Sequence, residues 1–285
     1  MKLTKEKIFP IIISALKEDL GQGDLTSFVV FERDANLLAH ITAKEECVLA
    51  GMDVARWIFD AIDEKIVLAP LSKDGDKIKK GKRVLSIKGS AKNILSAERV
   101  VLNFLGHLSG VATTTNSFVK EVRGTGAKIF DTRKTMPGLR ELEKYAVSVG
   151  GGSSHRMGLY DGIMIKDNHF AGLRSQVKSS KLQNIKDSVM KFKSRGYRNI
   201  EVEVENLAEF KEALESGADI IMLDNMLPKD IKKAVKLKKT SSVILEASGG
   251  ISLENVKKIA GTGVDRISVG RLTHSASSID FSLEI

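Results

Sequence analysis

The stretch NIEVEVENLAEFKEALESGADIIMLDN, Asn199 to Asn225, decides the fold of this chain. Its opening residues alternate Glu201, Glu203 and Glu205 with Val202 and Val204, the period-two pattern of a strand. NLAEFKEALESG then spaces its apolar residues three and four apart, as on one face of a helix. Asp219–Leu223 returns to a short apolar run. A strand, a helix and a second strand in immediate succession predict a parallel pair with the helix as its crossover.

The same alternation extends in both directions. Lys128–Asp131, Gly162–Lys166, Asn199–Glu205, Asp219–Leu223, Val243–Ala247 and Asp265–Val269 read as strands, with helical patterns such as SLENVKKIAGTG between most of them. Repeated β-α units with polar residues at the strand ends predict an α/β fold of the (β/α) barrel kind, with a doubly wound open sheet as the alternative. No G-x-G-x-x-G motif opens a unit, and no Walker-type loop is present.

The chain before this region reads differently. MKLTKEKIFPIIISALKEDLGQGD predicts an amphipathic helix and not a signal peptide, because its apolar stretch is short and runs into Lys17, Glu18 and Asp19. Leu37 to Gly89 alternates short strands and turns, ending in GDKIKKGKRVLSIKG, which reads as a hairpin. AKNILSAERVVLNFLGHL predicts an apolar helix, and Ser109 a cap for a second helix running toward Val122.

Composition narrows the function. At 285 residues, 42% hydrophobic and 28% charged, the chain is long enough for a large core. No apolar run nears the roughly 20 residues that span a bilayer. A single cysteine, Cys47, excludes an intrachain disulfide and a cysteine-based zinc cluster. An intracellular, cytoplasmic protein is expected. The net charge of +9 fits an anionic substrate, although lysine-rich helix faces around Lys178–Lys193 and Lys229–Lys239 account for most of it. With 5% aromatic residues and no basic–aromatic interleaving, nucleic-acid binding is not expected.

In a (β/α) barrel the reactive groups stand at the carboxyl ends of the strands. Here those ends carry Asp131-Thr132-Arg133-Lys134, Lys166-Asp167-Asn168-His169, Glu205 after its alternating partners, Asp224-Asn225, Ser248-Gly249-Gly250 and Gly270-Arg271. With the valines toward the helix layer, Glu201, Glu203 and Glu205 face the barrel interior, where carboxylates need cations or a metal. Lys134, Lys166 and Mg²⁺ are candidate partners. Arg133, His155, Arg156 and Lys166, beside apolar runs or a glycine-rich turn, predict a cage for a polycarboxylate. Ser248, Gly249, Gly250 and Gly270 predict a phosphate pocket. Arg140 and Lys144 read as surface charges of one helix. His155 and His169 lack ligand-type spacing, so hydrogen-bonding or structural roles are expected of them.

Taken in order, DTRKTMPGLR, KYAVSVGGGSSHRMGL, IKDNH, EVEVEN, MLDN, ASGGI and VDRISVG resemble the quinolinate phosphoribosyltransferase family, as do EDLGQGDLTS and ERVVLNFLGHLSGVAT. Ser154 departs from the asparagine common in the family before its His-Arg pair. The resemblance implies an N-terminal α/β sandwich over 1–108, an incomplete (β/α) barrel over 109–272, and a final segment, 273–285, returning to the first domain. It implies a pentosyltransferase that joins phosphoribosyl pyrophosphate to quinolinate with decarboxylation, in NAD biosynthesis, as a homodimer with shared sites.

By motif position the resemblance implies that Arg133, His155, Arg156 and Lys166 hold quinolinate, with Arg99 reaching in from the partner. Thr132 joins the substrate-binding set. Lys134, Glu203 and Asp224 are the implied catalytic groups on the ribose and pyrophosphate, with Glu203 and Asp224 binding Mg²⁺ partly through water and substrate. Ser248, Gly249, Gly250 and Gly270 take the 5′-phosphate. Competing readings are a Schiff-base aldolase using Lys166, an anion-binding accessory protein, and a nicotinate-specific relative.

Overall fold

The computed structural model describes residues 1–31, 33, 35–174, 180–238 and 241–285. Lys178 and Lys239, at the ends of the two lysine-rich stretches, lie outside the described residues. The chain forms two compact units. The first comprises Met1–Asn116, Lys134–Gly152 and Leu272–Ile285; the second comprises Ser117–Arg133 and Ser153–Arg271.

The first unit is built on strands β1 (Asn36–Ala43), β2 (Cys47–Val48), β3 (Val67–Pro70), β4 (Lys77–Ile78) and β5 (Arg83–Ser90). The C-terminal strand Phe281–Glu284, β1, β5 and β3 lie in that order in one sheet, with every neighbouring pair antiparallel. Ala39, Ile41, Ala43, Val84, Leu85 and Ile87 from this sheet are buried. The helix Lys5–Leu20 forms as expected and buries Ile8, Ile12 and Leu16, one residue per turn along a single face. It ends at Gly21, whose positive φ of 52° suits glycine.

Three features depart from the sequence reading. The stretch read as a hairpin is not one: β4 pairs with β2, and β5 pairs with β1 and β3. Gly81 does turn the chain at a positive φ of 81°, but its N–H bonds to the carbonyl of Ala43, so the turn serves a neighbouring strand. Ser109 caps nothing. It lies buried inside one continuous helix, Ala91–Glu121, where its hydroxyl bonds both the carbonyl and the N–H of Ala50. The boundary expected between 108 and 109 therefore falls within a helix. The helix Met52–Ile62 was not foreseen, although Val54, Ala55, Ile58 and Phe59 recur at helical spacing and are buried.

The second unit contains β6 (Lys128–Phe130), β7 (Met164–Ile165), β8 (Glu201–Val204), β9 (Ile220–Asp224), β10 (Ile244–Ser248) and β11 (Arg266–Ser268). They run parallel in the order β6-β11-β10-β9-β8-β7. Every strand neighbours the next in the chain except β6 and β7, and β6 neighbours β11, the last of the series. This is the order of an incomplete (β/α) barrel with one open seam. A doubly wound sheet would instead reverse direction from a central first strand. Ser153 makes a single parallel bridge to Phe130 on the free side of β6.

Val202, Val204, Ile221, Leu223 and Leu245 are fully buried, each contributing about 1.5–3 kcal/mol relative to exposure. Asn206 caps the helix Leu207–Glu215 by accepting from the N–H groups of Ala208 and Glu209. Among the described residues no helix is long and apolar enough to cross a membrane.

The C-terminal strand offers a test. Glu284 accepts from Lys44 Nζ at 2.5 Å, Ser282 Oγ at 3.0 Å and Thr42 Oγ1 at 3.1 Å. The bonds from Lys44, then Ser282 and Thr42, pull its carboxyl down to about 2. Its contribution is therefore present above the ordinary value of 4.5 and is lost as pH falls through about 2. The pair is exposed and screened, so the effect is small. Glu284→Gln should lower Tm slightly at pH 7, and the gap from the unaltered protein should close between pH 4.5 and 2 in a thermal melt series.

Candidate active site

The carboxyl ends of β6 to β11 converge on one set of polar groups, all in the second unit. The two glutamates of β8 that point inward are buried, Glu201 at 3% and Glu203 at 8% exposure, while Glu205 is exposed. Their partners differ. Glu203 meets Lys166, just beyond β7, at 2.9 Å, the pairing that the strand-end inventory offered. Glu201 meets His155, whose Nε2 lies 3.2 Å from one of its oxygens and 3.4 Å from Glu246 of β10.

Glu246 is fully buried. It accepts from Ser268 Oγ of β11 at 2.5 Å and lies 3.9 Å from Arg266. Arg266 in turn stands over the Phe130 ring at 4.8 Å. Burial raises the Glu201 carboxyl pKa, as does repulsion from Glu246, against the pull of His155. For His155 burial favours the neutral ring, but the two carboxylates outweigh it and push the pKa up to about 9.

Arg156 follows His155 in the chain. Its guanidinium donates to the carbonyl of Gly162 at 2.7 Å and lies 3.6 Å from the Met164 sulfur. Its buried Nε has no hydrogen-bond partner among the described residues. Burial, then the positive charge of Arg133, lowers the Arg156 pKa. An exposed Arg133 and a half-buried Arg156 with an unmet donor form a site suited to an anion. Upstream, Asp131 is fully buried and accepts from the His155 N–H at 2.8 Å, which ties β6 to this loop.

Asp224 ends β9 and is half-buried; Asn225 donates to it at 2.7 Å. The register brings Glu203 beside Met222 and Val204 beside Leu223, so Glu203 and Asp224 sit near the ends of adjacent strands. Carboxylate oxygens without thiol or imidazole suit a hard cation such as Mg²⁺, which takes one or two carboxylates together with phosphate oxygens. The donor chemistry therefore fits the metal expected there. The closest His/carboxylate group elsewhere among the described residues, His155–Glu201–Glu246, is an internal ion-pair cluster with Arg266 beside it.

Ser248 ends β10, followed by Gly249 at φ 87° and Gly250 at φ 59°. A methyl group on Gly249 would collide with the Asn225 side chain and stand 2.8 Å from its backbone nitrogen. The loop therefore requires glycine for its conformation and for its close approach to β9. Gly250 leads into the helix Leu253–Ala260, whose Ser252 and Asn255 form a capping box. Gly270 follows β11 after Val269, and Thr132 is the half-buried neighbour of Arg133.

Arg99 and Lys134 belong to the first unit. Arg99 is exposed on the helix Ala91–Glu121, with Glu98 at 3.8 Å. Lys134 is also exposed, and its carbonyl accepts from Thr273 at 2.6 Å. Lys144 corrects the sequence reading: it is fully buried, whereas Arg140 is half-buried and donates to Thr135. Helical spacing placed both on one helix but carried no information about which face would be covered. The buried partners of His155 were missed in the same way. Glu201 was legible from alternation, but Glu246 and Ser268 lie on strands whose proximity only the sheet order creates. His169 makes a hydrogen bond, as expected of it: its Nδ1 accepts from the Lys166 N–H at 2.9 Å.

Residues 24–109 match the model for the quinolinate phosphoribosyl transferase N-terminal domain, and residues 111–284 match that for its C-terminal domain. The chain belongs to the quinolinate phosphoribosyltransferase family. It is 45% identical to the probable nicotinate-nucleotide pyrophosphorylase [carboxylating] of Bacillus subtilis, covering 94% of this chain and 90% of that one. It is 40% identical to the Mycobacterium leprae nicotinate-nucleotide pyrophosphorylase [carboxylating], covering 95% and 94%. Among solved structures, NadC from Streptococcus pyogenes superposes with a TM-score of 0.92 at 39% identity, covering all of this chain and 98% of that one. Members of the quinolinate phosphoribosyltransferase family thus share both the sandwich sheet and the open-seamed barrel seen here.

The glycine loop after β10 is directly testable. Gly249→Ala should cost about 1–3 kcal/mol for the left-handed backbone alone, read as a lower denaturant midpoint with an unchanged m-value. An unaltered midpoint would mean the loop tolerates the side chain.

Proposed function

We propose that this protein transfers the phosphoribosyl group of phosphoribosyl pyrophosphate to the ring nitrogen of quinolinate, releasing pyrophosphate. The 2-carboxylate then leaves as CO₂ and nicotinate mononucleotide remains, a step of NAD biosynthesis. The observation that carries the substrate assignment is the half-buried Arg156, whose Nε has no hydrogen-bond partner among the described residues, with the positive charge of Arg133 near enough to lower its pKa. Such a pair suits a dianionic ligand, and quinolinate presents two adjacent carboxylates. Family membership supports the same chemistry. A Schiff base on Lys166 is disfavoured, because its ammonium is tied to Glu203 at 2.9 Å and a nucleophilic amine must be uncharged.

The chain's own groups divide the work. Arg133 and Arg156 orient the carboxylates, with Lys166 beside them. As pyrophosphate departs, positive charge develops on the ribose, and the carboxylates of Glu203 and Asp224 stabilise it. Lys134 meets the pyrophosphate. Thr132 contributes to substrate binding, and Ser248, Gly249, Gly250 and Gly270 accommodate the 5′-phosphate. Glu203 and Asp224 would hold Mg²⁺, partly through water and substrate; when bound, it neutralises the leaving pyrophosphate. Once alkylated, the pyridine ring is cationic and stabilises the electron pair that departing CO₂ leaves at C2, which then takes a proton from solvent to give the C2–H of the product. No covalent enzyme nucleophile is required.

The working form is a homodimer in which Arg99 completes the partner's site, and we assign it to the cytoplasm. Leu25, Phe28, Val29 and Val30 are 66–83% exposed within one short segment of the first unit, apolar surface of the kind a partner subunit covers. A lone, buried Cys47 with its thiol pushed up to about 11 suits a reducing compartment.

Purified protein given quinolinate, phosphoribosyl pyrophosphate and Mg²⁺ should release CO₂ and pyrophosphate in equal amounts; binding of both substrates without CO₂ release would rule the assignment out. Arg133→Ala and Arg156→Ala should each raise the KM for quinolinate roughly tenfold to a hundredfold, the loss of a charge-assisted hydrogen bond. The KM for phosphoribosyl pyrophosphate should move much less. For the shared site, mixing inactive Arg99→Ala and Lys166→Ala proteins should restore activity. No recovery despite demonstrated subunit exchange would place Arg99 in its own chain's site.

A further inference from the structure

His155 was expected to grip quinolinate directly, yet both of its ring nitrogens face protein groups. Nε2 lies between Glu201 of β8 and Glu246 of β10, at 3.2 and 3.4 Å. On the other side of the ring, Nδ1 accepts from the backbone N–H of Arg156 at 2.7 Å. Phe130 of β6 packs edge-on at 6.5 Å, and Asp131 takes the His155 backbone N–H. Arg266 of β11 brings a cation to the cluster, 3.9 Å from Glu246.

Two demands compete at this ring. Paired carboxylates favour the imidazolium, in which both nitrogens carry hydrogen, and it is their pull alone that carries the ring's pKa up to about 9. The Arg156 N–H, however, is aimed at Nδ1, and a hydrogen there would leave two donors facing each other at 2.7 Å. A single proton on Nε2, directed between the two glutamates and well aligned with neither, leaves Nδ1 free to accept from Arg156, and Arg266 and Ser268 offset the charge of Glu246. The consequence reaches the substrate side. Arg156 is tethered at its backbone by His155 and at its guanidinium by Gly162, so the ring fixes one of the two anchors of that side chain.

We propose that the buried glutamates Glu201 and Glu246 hold His155 as its Nε2–H tautomer, so that the bare Nδ1 locks the Arg156 backbone and aims its guanidinium at a quinolinate carboxylate. The three are positioning residues, and their link to quinolinate rests on the function proposed above. A cluster inside the barrel thereby sets the orientation of a binding group at its mouth.

Ring ¹⁵N resonances of His155 test the tautomer without any substrate. One protonated nitrogen, Nε2, and one bare nitrogen, Nδ1, are expected near neutral pH. Two protonated nitrogens, or a hydrogen on Nδ1, would overturn the proposal. In the near-isosteric double variant Glu201→Gln/Glu246→Gln the bare-Nδ1 population should fall; an unchanged spectrum would show that the glutamates do not set it. The link to Arg156 is tested by two substitutions at one position. His155→Asn places an acceptor where Nδ1 stood, whereas His155→Gln replaces the Nε2 end alone. His155→Gln should raise the KM for quinolinate about tenfold more than His155→Asn, as expected for one lost hydrogen bond. The KM for phosphoribosyl pyrophosphate and kcat should separate the two variants much less. Equal KM values in both variants, or parallel rises for both substrates, would remove the link to Arg156. A protein with the expected tautomer and no turnover of quinolinate would leave the tautomer standing and sink only the functional reading.

Discussion

The organising constraint of the barrel unit is that carboxylates buried on the inner face of a parallel sheet must meet donors. Glu201, Glu203 and Glu246 are all withdrawn from water. An unpaired charge in such a place costs several kcal/mol. Each is met by a donor from a loop or a neighbouring strand: Glu203 by the Lys166 ammonium, Glu201 by the His155 ring, and Glu246 by the His155 ring and the Arg266 guanidinium. These donors stand beside the substrate-facing groups, so satisfying the core also arranges the site.

The opposite imbalance holds one residue further out. The charge of Arg133 lowers the Arg156 pKa, and the Arg156 Nε has no hydrogen-bond partner among the described residues. Protein interiors seldom leave such groups unmatched. The barrel thus meets its buried glutamates internally and leaves the Arg156 donor for a ligand. A pyridine dicarboxylate is suited to that donor, and the adjoining acidic strand ends and glycine loop are suited to a ribose, a metal and a phosphate.

Much of this was legible in the sequence. The six strands of the second unit fall within or beside the runs expected of them, because a half-buried strand shows period-two alternation and a covering helix shows spacings of three and four. The incomplete barrel and the family were legible from the same strand-end motifs. Errors arose where one pattern admits two environments. Ser109 looks like a cap and is a mid-helix partner of Ala50; Lys144 looks like a surface charge and is fully buried. The hairpin failed because adjacency along the chain says nothing about a third strand competing for β4.

By itself the sequence determined which residues alternate, which turns need glycine and which strand ends carry charge, since these depend on local backbone geometry and on residue chemistry. Only the tertiary structure decided which charges meet. Glu246 lies on β10 and Glu201 on β8, and His155 reaches both because β9 alone separates them in the sheet. Phe281–Glu284 completes a sheet with β1, with Glu284 bonded to Lys44 some 240 positions earlier in the chain. Such pairings follow from sheet order and burial, which are settled by the free energy of the whole fold and leave no local mark in the chain.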